Sequence, residues 1–375
     1  MTEPPSSAPP NKLLGLELLR FVAALAVMVW HYAGFSYVAD SPVNLFKNRL
    51  PFYGLLQPLY ETGEYAVWVF WCISGFIFFW KYRDAIADRS IGRARFFVFR
   101  LSRLYPLHLV TLALVAILQP MYFHLNGFYF VYQDNDVRHF LLQIFMAGNW
   151  GFQNGNSFDG PIWSISVEVL VYLVFFLMLR FVTRSALLNL VMITVGTLAT
   201  GQIACCLAFF YIGGLAAMAR RAMARTPHRG AIESTAWLLA AALPVFCRLE
   251  LSDLMILAYT PVVLFCLSGN FSVTPRVQRI IEAAGNMTYS SYLIHFPLQL
   301  LIAVGFAMST TPIPFYDPIF FVAFVAATLM ASRLTYRYFE APTQALLRSR
   351  LLLPRGVVTT RALAATNQIW PREAE

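Results

Sequence analysis

Apolar residues dominate this chain in long runs that short polar segments separate. A helix needs about 20 mainly apolar residues to cross a bilayer, so each run predicts a membrane span. Residues 185–200 and 235–247 form runs shorter than ideal, and the bounds of these two are the least certain. The ten predicted spans are residues 13–37, 64–82, 102–120, 162–182, 185–200, 203–219, 235–247, 252–268, 286–306 and 317–337.

One further apolar stretch, residues 139–147, is too short to cross as a helix, and we interpret it as interfacial or re-entrant. With ten crossings and a cytosolic N-terminus, all but four of the 28 Lys and Arg residues lie on the inner side, as the positive-inside rule expects. The four outer basic residues are Lys47, Arg49, Arg138 and Arg248. The sequence therefore predicts an all-α membrane protein with ten transmembrane helices and both termini in the cytosol.

Composition supports a membrane protein and excludes a water-soluble globule. Of 375 residues, 58% are hydrophobic and 13% are charged, and the mean hydropathy is +0.60. The formal charge of +9 comes mostly from basic residues that flank apolar runs, so membrane lipids are expected partners and nucleic acid is not. The five cysteines show neither metal-ligand nor disulfide spacing, and no metal site is predicted.

The domain organisation follows from the polar ends. Residues 1–12 are rich in proline and serine and lack a signal-peptide n-region, which predicts a flexible cytosolic leader. Residues 13–338 form the predicted membrane domain, and residues 339–375 form a short basic cytosolic tail.

Candidate chemistry lies where ionisable groups fall inside predicted spans, because such groups are costly there and usually face a cavity or a partner. Arg20 and His31 project from one face of the first span, about 16 Å apart along its axis. His31, near the outer end, is the best candidate for a general base. A snorkelling arginine and an interfacial histidine explain this pattern about equally well.

Glu168 is a carboxylate in an otherwise apolar span, about 7 Å deeper than the interfacial Trp163. Since it needs a partner, we predict that it pairs with His31 near the outer helix ends. Ser166 is a candidate member of the same polar network. The alternative for a helical serine is a hydrogen bond to its own backbone.

Two further pairs carry candidate chemistry. Ser291 and His295 share one helix face, with His295 near the bilayer midplane, and the alternative is a structural hydrogen bond between helices. Arg100 and Arg103 are i,i+3 neighbours at the inner foot of the third span, where paired guanidiniums could clamp phosphates. Topology and anionic lipid also explain these arginines.

In order, the motifs resemble those of the acyltransferase-3 family of bacterial membrane O-acyltransferases, over essentially the whole chain. The matching features are Arg20 with His31, the aromatic-rich WVFWCISGFIF through Ser74 and Gly75, Arg100 with Arg103, WSISVE ending at Glu168, SYLIH ending at His295, and FEAP around Glu340.

The resemblance implies an acyl-CoA donor substrate, usually acetyl-CoA, bound from the cytosol. The implied acceptor is a hydroxyl of a glycan or lipid-linked sugar at the outer face of a bacterial inner membrane. It also implies a catalytic role for His31 and a donor-binding role for Arg100 and Arg103. We further expect Arg20 to position the acyl arm and Glu168 to assist His31.

Three alternatives remain at this point. The acceptor could be a small secondary metabolite. A proton-coupled transporter or flippase also uses intramembrane His, Glu and Arg, but it predicts internal repeats, and none is visible. A membrane scaffold or sensor would leave the polar residues without a shared role. Direct transfer and an acyl-enzyme route are both open.

Overall fold

A computed structural model describes residues 13–224, 226–246 and 252–352. The predicted leader, most of the predicted tail and Cys247 therefore lie outside the described residues. A short hairpin pairs β1 (Tyr37–Val38) with β2 (Ser41–Pro42). The helices are α1 (Leu14–Tyr32), α2 (Tyr53–Thr62), α3 (Ala66–Ala87), α4 (Arg93–Asn126), α5 (Val137–Ile144), α6 (Trp163–Phe181), α7 (Ala186–Leu198), α8 (Gln202–Met223), α9 (Arg229–Phe246), α10 (Asp253–Leu267), α11 (Pro275–Asn286), α12 (Thr288–Met308), α13 (Pro318–Thr335) and α14 (Ala341–Leu352).

Seven helical segments of the described chain are long and apolar enough to cross a membrane. They are Leu14–Ser36, Tyr53–Ala87, Arg93–Asn126, Gly160–Phe181, Gln202–Met223, Thr288–Met308 and Pro318–Leu352. Each overlaps one predicted span. Two other predicted spans correspond to the shorter apolar helices α7 and α10. The predicted span 235–247 overlaps α9, and its last residue lies outside the described part.

The stretch predicted as interfacial or re-entrant overlaps α5, which begins two residues before it and has eight residues. At 1.5 Å per residue such a helix rises about 12 Å, far less than the hydrocarbon thickness. Its N-terminus is fixed by Asp136, whose side chain accepts a hydrogen bond from the His139 backbone amide at 2.8 Å.

Close contact between α3 and α8 organises the larger apolar core. A Cβ atom on Gly75 would overlap the carbonyl oxygen of Phe210, and one on Gly213 would overlap that of Cys72. The two backbones approach closely because these positions lack side chains. Around this contact, buried aromatic rings of α3, α4, α6 and α8 pack edge to face, among them Phe78, Phe96 and Phe175.

A second apolar cluster joins α1, α12 and α13 to the loop between α4 and α6. Tyr32 and Phe296 are 0% and 1% exposed within it, and each directly follows a histidine in the sequence. The Tyr32 hydroxyl donates to the carbonyl of Phe315 at 2.9 Å. This packing fixes His31 on α1 and His295 on α12 next to each other.

Candidate active site

A cavity of about 690 Å³ lies between α1, α3, α4, α6, α12 and the C-terminal helical segment, residues 336–352. It extends from charged residues near the start of α4 to Ser164 and Tyr292. Its size is within the range of small-molecule and cofactor sites. Its charged lining residues are Glu17, Arg20, Lys81, Arg95, Arg100, Arg103, Glu168 and Glu340. The arginines predicted to bind the acyl donor and the carboxylate predicted to assist catalysis therefore line the same cavity.

Aromatic rings hold Arg100 in the cavity wall. Its guanidinium carbon lies 4.1 Å from the ring centroid of Phe78 and 4.7 Å from that of Tyr82. The Nε and Nη2 atoms are buried and have no hydrogen-bond partner among the described residues. Cation–π contact orients the guanidinium while its donors stay available, a fitting arrangement for binding an anion.

Arg20 and Arg103 approach the same cavity from other helices. Arg20 pairs with Glu17, one helical turn earlier on α1, at 3.1 Å. Arg103 lies one turn beyond Arg100 on α4. The cavity lining therefore has more basic than acidic side chains, and it favours a negatively charged ligand.

Glu168 is deeper in the cavity and is 8% exposed. The hydroxyl groups of Ser74 and Tyr172 are its nearest polar neighbours, yet its Oε1 atom has no hydrogen-bond partner among the described residues. Buried polar atoms are nearly always satisfied, so this oxygen is expected to accept a hydrogen bond from a ligand or a bound water.

His31 does not lie in the place that the predicted pairing with Glu168 requires. Its Nδ1 atom lies 2.9 Å from the carbonyl oxygen of Val27, one turn earlier on α1. Because a carbonyl only accepts, Nδ1 carries the proton and Nε2 keeps its lone pair. This is the tautomer that a general base requires.

The ring of His31 lies beside the ring of His295. Neither histidine forms a hydrogen bond with Glu168. The centroids of the two imidazole rings are 4.8 Å apart. His295 is 1% exposed, and its Nε2 atom has no hydrogen-bond partner among the described residues. Gln299, one turn further along α12, donates to the carbonyl of His31 at 3.0 Å. The predicted pair of His31 with Glu168 thus does not form, since Glu168 faces the cavity.

Tyr292 and Ser164 form the cavity wall nearest to the histidines. The Tyr292 hydroxyl donates to the carbonyl of Pro161 at 2.9 Å and lies 2.6 Å from Ser164 Oγ. The ring of Tyr292 is 6.0 Å from that of His295. One tyrosine therefore separates the charged cavity from the pair of imidazoles.

The two other serines of the predicted network have local partners. Ser166 is fully buried, and its hydroxyl accepts from the backbone amide of Asn149 at 3.3 Å. Ser291 donates to the carbonyl of Thr288, one turn earlier, at 3.0 Å. Ser166 thus joins α6 to the loop before it, and Ser291 bonds the backbone of its own helix.

Sequence reasoning missed three residues of this region. Tyr172 lies one turn after Glu168, and Gln299 lies one turn after His295, so helical spacing could have indicated both. Ser74 belongs to the aromatic-rich motif of α3, but nothing in that motif indicates that it faces Glu168.

Fold and cavity define a multi-pass membrane protein with a site for an anionic ligand. The profile of the acyltransferase-3 family, described as an acyltransferase domain, matches residues 13–335. The chain belongs to this family.

One curated relative is an acyltransferase by name. The chain is 34% identical over 107 residues to Acyltransferase MdmB from Streptomyces mycarofaciens. The match spans 28% of this chain and 24% of that protein, so it covers only about a quarter of the relative's length. No solved structure matches significantly.

Proposed function

We propose that this protein transfers an acyl group, by default acetyl, from cytosolic acyl-CoA to a hydroxyl of a glycan or glycolipid at the outer face of a bacterial inner membrane. The observation that carries this proposal is one arrangement: a cavity rich in arginine that ends beside a pair of adjacent histidines, His31 and the buried His295.

The donor occupies the cavity in this account. Coenzyme A carries phosphate groups, and Arg100 together with Arg103 offers guanidinium donors that can bind phosphate oxygens in pairs. The pantetheine arm then lies along the aromatic wall of α3, with Arg20 beside it. Oε1 of Glu168 accepts from an amide N–H of that arm. Glu168 thus acts on the donor and is not the partner of His31.

The basic end of the cavity faces the cytosol in this proposal. It includes Lys81, Arg95, Arg100 and Arg103, and basic residues gather on the cytosolic side of membrane proteins. Cytosolic acyl-CoA can then enter at that end, and the acceptor approaches the histidines from the opposite face.

His31 supplies the base for the reaction. Its Nε2 lone pair takes the proton of the acceptor hydroxyl while the oxygen attacks the thioester carbonyl. The tetrahedral intermediate collapses, the C–S bond breaks, and the imidazolium returns the proton to the leaving thiolate. The products are an ester and coenzyme A, with no net release of a proton.

The proposal is tested by mass spectrometry of surface glycans from cells with the gene, cells without it, and cells expressing His31→Ala or Glu168→Gln at matched protein levels. We expect an acyl mass increment that depends on the gene and is lost in His31→Ala. Near-normal acylation with His31→Ala would contradict the assignment of the base.

A further inference from the structure

A second group of buried polar side chains lies beyond the turn that carries Pro161, outside the charged cavity. It joins α4, α5 and the loop before α6, and it is called here the outer polar cluster. All its members are at most 3% exposed: His108, Thr111, Gln143, Ser157 and Asp159.

The cluster is closed by its own hydrogen bonds. His108 Nε2 lies 2.7 Å from the carbonyl oxygen of Gln143, and the Gln143 amide donates to the carbonyl of Ser157. Thr111 lies next to Asp159, but its hydroxyl donates to the carbonyl of His108 at 3.1 Å. The donors of these three side chains are therefore directed at backbone carbonyls and, for the Gln143 amide, also at the Ser157 hydroxyl at 3.3 Å.

Several acceptors of the cluster have no donor among the described residues. They are both carboxylate oxygens of Asp159, Oε1 of Gln143 and Nδ1 of His108. Nδ1 of His108 counts as an acceptor because Nε2 carries the proton toward a carbonyl. An unsatisfied buried acceptor is unfavourable, so several of them in one place predict a ligand that supplies hydrogen-bond donors.

Hydroxyl groups fit this surplus better than a metal ion. No group of three or more His, Cys, Asp or Glu side chains comes together as a metal site in the part of the chain that the structure describes. Aromatic rings flank the cluster: Tyr132 packs on Gly160, and Phe140 lies 5.5 Å from Phe158. Carboxylate and amide oxygens next to aromatic faces are suited to a polyhydroxylated molecule.

The segment covering the cluster is strained. Val131, Met146 and Phe158 have positive φ angles of 60°, 51° and 43°, a region that bulky and β-branched side chains rarely adopt. Backbone strain of this kind clusters at functional sites and in segments that switch between two conformations. The covering segment also connects to the histidines, because Pro161 accepts the hydrogen bond of Tyr292.

We propose that the outer polar cluster is the acceptor subsite, in which Asp159 and Gln143 accept hydrogen bonds from hydroxyl groups of a sugar-like acceptor. This inference rests on the proposed function. It assigns the acceptor to a site outside the donor cavity, in the segment that the hydrogen bond of Tyr292 to Pro161 connects to that cavity.

The test uses full-length protein in lipid nanodiscs, [14C]acetyl-CoA as donor, and a detergent extract of the source strain's membranes as the acceptor probe. Asp159→Asn preserves shape but replaces one acceptor oxygen with a donor. We expect the half-saturating amount of extract to rise about 5- to 150-fold. The KM for acetyl-CoA stays unchanged. Asp40→Asn, on the exposed outer hairpin, serves as the matched control.

A second measurement covers the case in which Asp159→Asn folds poorly. Dicyclohexylcarbodiimide modifies buried carboxyl groups, and peptide mass spectrometry of wild-type protein reports the labelling of Asp159. We expect the membrane extract to slow this labelling and acetyl-CoA to leave it unchanged.

The outcomes separate the two proposals. If wild-type protein transfers no acetyl group to the extract, the proposed function fails and the subsite fails with it. If wild-type protein transfers acetyl groups, the subsite alone is overturned by unchanged half-saturation in Asp159→Asn or by labelling that the extract does not slow.

Discussion

The centroids of the imidazole rings of His31 and His295 lie 4.8 Å apart, although α1 and α12 are far apart in the sequence. The Val27 carbonyl fixes the tautomer of His31. The neighbouring His295 has an Nε2 atom without a hydrogen-bond partner among the described residues. In the proposed function His31 is the base, and we expect His295 to be a positioning residue that orients the His31 ring.

Replacing His295 is expected to weaken catalysis less than replacing His31. A contact between two rings contributes about 0.5–1.5 kcal/mol, so His295→Ala should lower the transfer rate about 2- to 10-fold. His295→Gln, which keeps a polar group, should restore part of the rate. The measurement is kcat with [14C]acetyl-CoA at saturating donor, across pH. Loss of activity in His295→Ala as deep as in His31→Ala would make His295 an equal member of the catalytic pair.

Arg100 is expected to act on donor binding. Hydrogen bonds to charged groups contribute about 1.5–3 kcal/mol, so Arg100→Gln should raise the KM for acetyl-CoA about 10- to 100-fold with little change in kcat. Arg184→Gln is the control, since Arg184 is exposed and pairs with Asp88 away from the cavity. An unchanged KM in Arg100→Gln would remove Arg100 from the donor site.

Gly75 is expected to be essential for the contact of α3 with α8. A Cβ atom there would overlap a backbone carbonyl of α8, and overpacking costs about 1–3 kcal/mol. Gly75→Ala should therefore lower the melting temperature of the detergent-purified protein. Gly305→Ala, on α12, meets no atom within 4 Å, and it should leave stability unchanged or raise it by about 0.5–1 kcal/mol. Equal melting temperatures in both variants would contradict the close packing.

Asp159, in the loop before α6, is expected to make stability depend on pH. Burial raises the pKa of this carboxyl from 3.8 to about 7. The folded state then holds the proton more tightly than the unfolded chain does, so the contribution is complete below about pH 4 and is lost as pH rises toward about 7. The titratable groups facing it are Tyr132 in the loop, and Tyr289 and Tyr292 on α12.

Thermal unfolding of acceptor-free protein between pH 4 and pH 8 checks this prediction. Wild-type protein should lose stability across the interval, and Asp159→Asn should show a smaller loss because it cannot ionise. Parallel curves for the two proteins would show that Asp159 does not titrate in this range.

Apolar run length predicted most of the fold because the bilayer sets the length of a helix that crosses it. Seven predicted spans overlap helices that are long enough to cross. The count of ten is not established in the same way, since α7 and α10 are shorter and α9 borders residues outside the described part. Positions such as Gly75 became informative only when the neighbouring backbone was known.

Candidate site residues could be named one by one from the sequence, but which of them lie together could not. Intramembrane charge singled out His31, Glu168 and His295, and motif order indicated the family. Which side chains meet depends on the packing of α1, α6 and α12, and residue spacing within one helix carries no such information. Asp159 was missed because a loop aspartate before a helix usually needs no special explanation.

The central claim is that His31 is the base for acyl transfer, and the most direct test compares wild-type protein with His31→Ala. Both are purified in nanodiscs and supplied with saturating [14C]acetyl-CoA and membrane extract, and donor binding is measured separately by calorimetry. A general base contributes about 10²- to 10⁴-fold. The account predicts a loss of transfer rate of that size in His31→Ala, with the affinity for acetyl-CoA unchanged. A transfer rate close to that of wild-type protein would contradict it.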